Sequence, residues 1–143
     1  MAYSTEFSRA VAISLFINLK TEEFKLEYVS TKVIAEYMKI PAPTIVRILK
    51  SLSDAGITTT KEGANGGVLL AKPVAKITLL DIFLAIEHGH LFKTEIGFII
   101  DLPRVEHYKG LIINHMKDAE DAMKQSLQKT TLADIVKDAE SSV

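Results

Sequence analysis

Residues 30–72 read STKVIAEYMKIPAPTIVRILKSLSDAGITTTKEGANGGVLLAK. The stretch predicts helix, tight turn, helix and then a two-stranded wing. Ser30 or Thr31 is placed to cap the first helix, because a hydroxyl there accepts from orphan backbone N–H groups. Val33, Ile34, Tyr37 and Met38 recur at helical spacing and predict one apolar face. Ala35 is small where a second helix must approach. Pro41 pushes Ile40 out of the helical region, which leaves Ile40 to plug the corner. Pro43 opens the second helix, where its missing N–H is harmless. Ile45, Ile48, Leu49 and Leu52 form the buried face of that helix. Thr44, Arg47, Lys50 and Ser51 are left outside. Gly56 ends it as a left-handed cap. Counting from Thr31, Ala35 is fifth, Ile40 tenth, Ile45 fifteenth and Ile48 eighteenth. That is helix-turn-helix spacing, in which the second helix enters the DNA major groove.

Ile57-Thr58-Thr59-Thr60 is β-branched throughout and suits a strand. Gly63-Ala64-Asn65-Gly66-Gly67 has strong turn chemistry, and Val68-Leu69-Leu70 returns. A helix-turn-helix followed by a hairpin is a winged helix. The plainer alternative is a packing module that never meets nucleic acid.

Working outward, the 143 residues suffice for one domain, or one domain with an appendage. Nearly half are apolar and none is cysteine. That excludes disulfides, thiol redox sensing and cysteine-held zinc or iron–sulfur clusters. No apolar run approaches a membrane span, and the N-terminal residues lack a basic n-region and cleavage signal. A cytoplasmic protein with no membrane contact is expected. Net charge is −1, but it is divided: residues 1–77 carry ten Lys/Arg against seven Asp/Glu, and residues 78–143 carry seven against eleven. A mildly basic head and an acidic tail fit a DNA-binding end and a separate partner end.

Residues 5–19 predict a first helix, apolar enough to lie against the helix-turn-helix. Arg9 near its start is either a phosphate contact or a solvated charge. Leu26, Tyr28 and Val29 either pair as a short strand or simply pack. Beyond the wing, Thr78 caps a further helix with Asp81 in a capping-box position; it is expected to end near Gly89 and to pack under the wing. Residues 88–103 form a connector with an apolar patch at Phe98, Ile99 and Ile100. His88, His90 and His107 lie in or near it at irregular spacing. No acidic or thiol group completes a metal set, so loop histidines and no cofactor are expected.

A long helix is predicted from Arg104 to Leu127. Val105, Tyr108, Ile112, His115, Ala119, Ala122 and Ser126 step by three and four residues, a heptad-like seam. Leu111, Met116 and Met123 flank it. Lys109, Lys117, Asp118, Glu120, Asp121 and Lys124 read as outward charges. Such a seam points to self-pairing as a two-fold dimer; the alternative is a helix folded back on its own domain. Thr130 or Thr131 caps a last helix, Leu132–Ala139.

The fold expected is therefore mainly α with a small β wing. A winged helix-turn-helix DNA-binding domain covers residues 1–89. A connector, a long C-terminal dimerisation helix and a short last helix cover residues 90–143.

Gly63-Ala64-Asn65-Gly66-Gly67-Val68-Leu69-Leu70-Ala71-Lys72, with Ile77-Thr78-Leu79-Leu80-Asp81-Ile82 and Ala85-Ile86-Glu87, resembles the Rrf-two family of bacterial transcription regulators (BadM-, IscR- and CymR-like proteins). The resemblance covers nearly the whole chain. It implies a dimeric winged helix that binds palindromic operators in double-stranded DNA, usually to repress. It places Thr44, Arg47 and Lys50 of the recognition helix and Asn65 and Gly66 of the wing tip on DNA, with Ser30 and Thr31 against a phosphate. Two departures stand out. Many members hold an iron–sulfur cluster through three cysteines before the long helix, and residues 90–104 contain none. This chain looks like a cysteine-less branch, with an unidentified small-molecule or protein effector. The position before Gly63 is often basic in the family and is Glu62 here, which leaves Lys61 to hold the wing on DNA.

On this reading residues 104–127 pair two chains and hold two recognition helices about one DNA turn, roughly 34 Å, apart. Arg47 is the candidate for bidentate reading of guanine; Lys50 and Lys61 are candidates for phosphates. A different reading is a winged-helix interaction module that docks a partner enzyme and has little DNA affinity. An enzyme is not expected: no nucleophile has a positioned base, and no phosphate loop or metal set is evident.

Overall fold

The computed structural model describes residues 5–97 and 102–142. Eight elements follow in order: α1 (Glu6–Glu22), α2 (Thr31–Met38), α3 (Ala42–Asp54), β1 (Thr58–Lys61), β2 (Gly67–Leu70), α4 (Leu79–Ile86), α5 (Pro103–Gln128) and α6 (Leu132–Ser141). A 3-10 turn, Val74–Lys76, bridges β2 and α4. Mostly helical, with one small sheet and a long C-terminal helix, it is the architecture expected.

The core gathers around α1. Ala10, Ile13 and Ile17 are fully buried, as are Ile34, Ile45, Ile48 and Leu52 of the two helices beside it. Ser14 is buried among them and donates its hydroxyl to the Ala10 carbonyl at 2.8 Å, which satisfies its polarity inside. Phe7 meets Phe83 of α4 edge-to-face at 5.3 Å. α1 runs three residues past the expected Leu19, its last turn closed by the Glu23 N–H on the Leu19 carbonyl.

In α2, Ser30 is the cap, accepting from the Val33 N–H. The apolar face is narrower than its spacing predicts: Ile34 is its fully buried member, while Tyr37 is 65% exposed. Tyr37 belongs instead to a surface aromatic cluster, 5.7 Å from the Phe16 ring with Lys20 Nζ 4.4 Å from its own centroid. The helix stops at Lys39, whose left-handed backbone (φ 53°) returns its N–H to the Ala35 carbonyl. Ile40 fills the corner. Pro43 sits in the first turn of α3, and Gly56 at φ 77° follows its last turn.

The wing is antiparallel, with Thr58 opposite Leu70 and Lys61 opposite Gly67. Val29 adds a one-residue third strand, exchanging both backbone hydrogen bonds with Val68 at 2.8 Å. This close approach requires glycine on the returning strand. A Cβ on Gly67 would lie 2.5 Å from the Val29 carbonyl oxygen, and one on Gly66 would lie 1.9 Å from that of Lys61. α4 does not sit under the wing as expected. It packs on α1 and α3, while β2 rests on α1 and β1 on α3. The reason is hydrophobic: α4 is apolar nearly all round, so it seeks the helical core rather than a two-stranded edge. It also ends early, at Ile86.

Residues 87–97 are irregular; the expected patch at 98–100 lies outside the described residues. α5 crosses α4. α6 begins where α4 begins. Thr78 and Thr131 each cap a helix with a complete capping box, and they pair with each other as an antiparallel bridge. Leu79 donates to the Thr130 carbonyl and Leu132 to that of Ile77, both at 2.9 Å. Leu132 thereby enters the core, fully buried. Among the described residues no helix is long and apolar enough to cross a membrane.

Candidate nucleic-acid interface

α3 divides cleanly. Ile45, Ile48, Leu49 and Leu52 are buried. The opposite side presents Arg47 and Lys50 fully outward and Thr44 at its margin. Val46, not among the residues singled out from the sequence, stands between them at 56% exposure. An aliphatic side chain held in solvent on this face offers a thymine methyl an apolar contact. Its signal in the sequence is its position one residue from Arg47 and off the buried stripe.

Arg47 is not free. Its Nε donates to Glu6 Oε1 at 2.8 Å and its Nη2 donates to the same oxygen. Glu6 stands in the first turn of α1, so this guanidinium on the outward face of α3 is steered by a carboxylate 41 residues away. The guanidinium has five N–H groups. The pair uses the Nε edge and leaves the Nη1–Nη2 end available for a bidentate acceptor. Lys50 Nζ lies 3.0 Å from Asp54 Oδ2 one turn on, both ends exposed; such a pair is weak in water and releases readily to a phosphate.

Ser30 spends one lone pair on its cap and keeps its hydroxyl proton. With Thr31 it marks the start of α2, where unpaired N–H groups attract phosphate. At the wing, Glu62, Ala64 and Asn65 are exposed. Lys61 Nζ sits 5.3 Å from the Tyr28 ring centroid, which positions the one lysine at the wing turn. Gly66 is the steric hinge described above.

The seam positions of α5 are open or half-open: Tyr108 is 48% and Ile112 38% exposed, and His115, Ala119 and Ala122 face outward, with Val105 partly covered. Leu111 widens this surface on one side, while Ile113, also exposed, lies beyond the covered face of the helix. At about 100° per residue, the line of Met116, Glu120, Met123 and Leu127 lies roughly 90° around the helix from the seam; that line is the more covered one. Glu120 corrects the expected pattern of outward charges, being 5% exposed. It accepts from the Leu91 N–H at 2.7 Å and pairs with His90 Nδ1 at 3.0 Å. These two bonds, the backbone one foremost, hold its carboxyl below the usual range.

Residues 3–138 match the family model Rrf2, described as an iron-dependent transcriptional regulator. YffB of Lactococcus lactis, named an HTH-type transcriptional regulator, is 28% identical over 94% of this chain and 86% of its own. Among solved structures, T. potens IscR superposes with a TM-score of 0.70 at 24% identity, covering 99% of this chain and 90% of that one. CymR of B. subtilis does so at 0.65 and 24%, covering 94% and 95%; these two likenesses speak to the fold. An iron centre held by thiolates does not fit the donors present. The chain has no cysteine, and among the described residues no three His, Asp or Glu side chains gather as a metal set. His90 instead closes on Glu120 in the segment before and along the long helix. By sequence and by fold, this chain belongs to the Rrf2 family of DNA-binding transcriptional regulators.

Proposed function

We propose that the protein is a dimeric, sequence-specific operator-binding regulator, a repressor, that works without an iron–sulfur cluster. The observation that carries this is the outward face of α3. Thr44, Val46, Arg47 and Lys50 form a mixed polar, apolar and cationic strip on a helix whose other side is locked in the core, and the wing stands beside the same unit. Residues 1–89 are the DNA-binding part. Residues 90–143 supply the connector and the pairing helix, with α6 returning to the core.

Pairing through Val105, Tyr108, Ile112, His115, Ala119 and Ala122 covers an apolar surface that α4 leaves open, and sets two recognition helices for a palindrome. Arg47 reads guanine and Thr44 and Val46 meet thymine methyls. Lys50, Lys61, Ser30, Thr31 and the backbone at Asn65 and Gly66 hold phosphates. Repression follows if the bound dimer occludes a promoter.

The test is selection of bound fragments from the source genome at two salt concentrations. A palindrome enriched at both is expected. Retention that is weak, blind to sequence and erased by salt would overturn the proposal.

A further inference from the structure

Away from the DNA-facing strip, an open cleft of about 1120 Å³ lies between the C-terminal half of α1, the end of β2 and α6. Its walls are apolar: Leu15, Phe16 and Leu19 from α1, Leu70 from β2, Ile135 and Val136 from α6. Ligand sites run to roughly 300–1,000 Å³ and are mostly apolar with a few polar groups, so this one has room for a sizeable small molecule.

The rim is one-sided. Glu22, Glu23 and Glu27 crowd the end of α1, Glu140 stands on α6, and Lys72 is the one lining cation among the described residues. The C-terminal end of a helix adds partial negative charge of its own. Lys20, in the last turn of α1, does not line the cleft; its Nζ lies over the rings of Phe24, Tyr37 and Phe16 at 4.2, 4.4 and 5.5 Å. An apolar interior under an anionic rim selects an apolar body bearing a positive charge.

We propose that this cleft binds a lipophilic cation, with the apolar body between α1 and α6 and the charge held at Glu22, Glu23 and Glu27. Leu69 and Leu70 form part of the wall, and they pair across the wing with Thr59 and Thr58. An occupant therefore bears on the wing's seat against α1 and changes operator affinity. That last consequence rests on the operator-binding reading; the site itself does not.

Two probes of nearly the same shape and opposite charge decide it. Calorimetry on the full chain at low ionic strength should show saturable binding of tetraphenylphosphonium, and binding of tetraphenylborate at least about tenfold weaker. The triple variant Glu22→Gln/Glu23→Gln/Glu27→Gln changes only exposed side chains. It should weaken the cation about tenfold, the sum of three exposed charge contacts. Val136→Trp puts an indole on the α6 wall of the cleft and should weaken the cation severalfold while leaving the far-ultraviolet dichroism unchanged. Equal affinity for both probes, or an unaltered triple variant, would overturn the site. So would a Val136→Trp chain that loses its dimer, which would give the cleft to a second copy. Fluorescence anisotropy with the selected operator then reads the coupling. Cation binding with operator affinity unchanged overturns the effector role alone. Failure to retain any operator without the cation is the separate failure of the DNA reading.

Discussion

α3 and α5 are both amphipathic, and they are held in opposite ways. α3 has thirteen residues and buries four large aliphatic side chains. α5 is twice as long, with twenty-six, and its one fully buried residue is a glutamate. Helices in water owe most of their stability to packing of an apolar face rather than to propensity. α3 is therefore fixed by its own chain and free to present a polar strip outward. α5 packs on α4 but exposes Tyr108, Leu111, Ile112 and Ile113. On the pairing proposed above, a second copy covers that face.

The sharpest way to break that contrast is to cut each helix at its apolar face. Leu52→Ala in α3 should cost about 2–5 kcal/mol in urea unfolding, the range for a fully buried leucine, at any protein concentration. Ile112→Glu in α5 should leave the core's unfolding midpoint nearly unchanged at high dilution. It should weaken dimerisation by about 2 kcal/mol or more, roughly thirtyfold, read by sedimentation equilibrium. If Ile112→Glu leaves self-association intact, the exposed face of α5 is not the pairing surface.

The outward face of α3 is next in size. Arg47→Ala should reduce operator affinity by about 1–3 kcal/mol and relax preference at one base pair, whereas Lys61→Ala should weaken all sequences alike. Glu6→Gln keeps a hydrogen-bond acceptor but drops the charge that steers Arg47. Its expected mark is a change in sequence preference at the base pair that Arg47 reads, with a smaller change in affinity. Equal effects of Glu6→Gln at every position of the operator would reduce Glu6 to a general charge effect.

A smaller effect lies at the base of the wing, inside the well-packed half. Thr58 is 3% exposed and its hydroxyl has no hydrogen-bond partner among the described residues. Thr58→Val removes that unpaired group at nearly constant shape, and should raise stability by about 1 kcal/mol, a thermal midpoint a few degrees higher. The last test concerns the buried carboxylate of α5. Glu120 has a folded pKa below its unfolded one. Its contribution is complete above the ordinary carboxylate range and disappears as pH falls through the lowered value. Protection of the Leu91 amide from hydrogen exchange should decline over that acid range. In Glu120→Gln that pH dependence should be absent.

The same contrast explains how much could be read from residues alone. α3 was legible because its face is written in adjacent turns: Ile45, Ile48, Leu49 and Leu52, with Gly56 as the stop. The Thr78–Asp81 capping box was legible for the same reason, its partners being three residues apart; the start of the last helix was left between Thr130 and Thr131, and the structure pairs Thr131 with Asp134. What local pattern cannot carry is which neighbour a face meets. Tyr37 sits on helical spacing and still faces solvent. α4 carries apolar residues enough for several partners, and only the assembled core chooses α1 and α3 over the wing. Glu120 reads as an outward charge, and nothing in the sequence singles out Glu6, because their partners lie about 30 and 41 residues away. On the outward face of α3, the exposure of Arg47 and Lys50 followed from the helix register. Val46 carried no local mark beyond its place off the buried stripe.

The paired starts of α4 and α6 give the chain an unusual economy of route. Thr78 and Thr131 are bridged, so everything between them leaves and returns at one point. The path through α4, the connector and α5 is a closed detour, with its exit and re-entry stitched by two backbone hydrogen bonds. Insertions or losses along the outer part of that detour need not alter where Leu132 plugs the core. A lineage could therefore lengthen, shorten or re-equip the connector and the outer part of α5 while α4 and the core around α1 stay as they are.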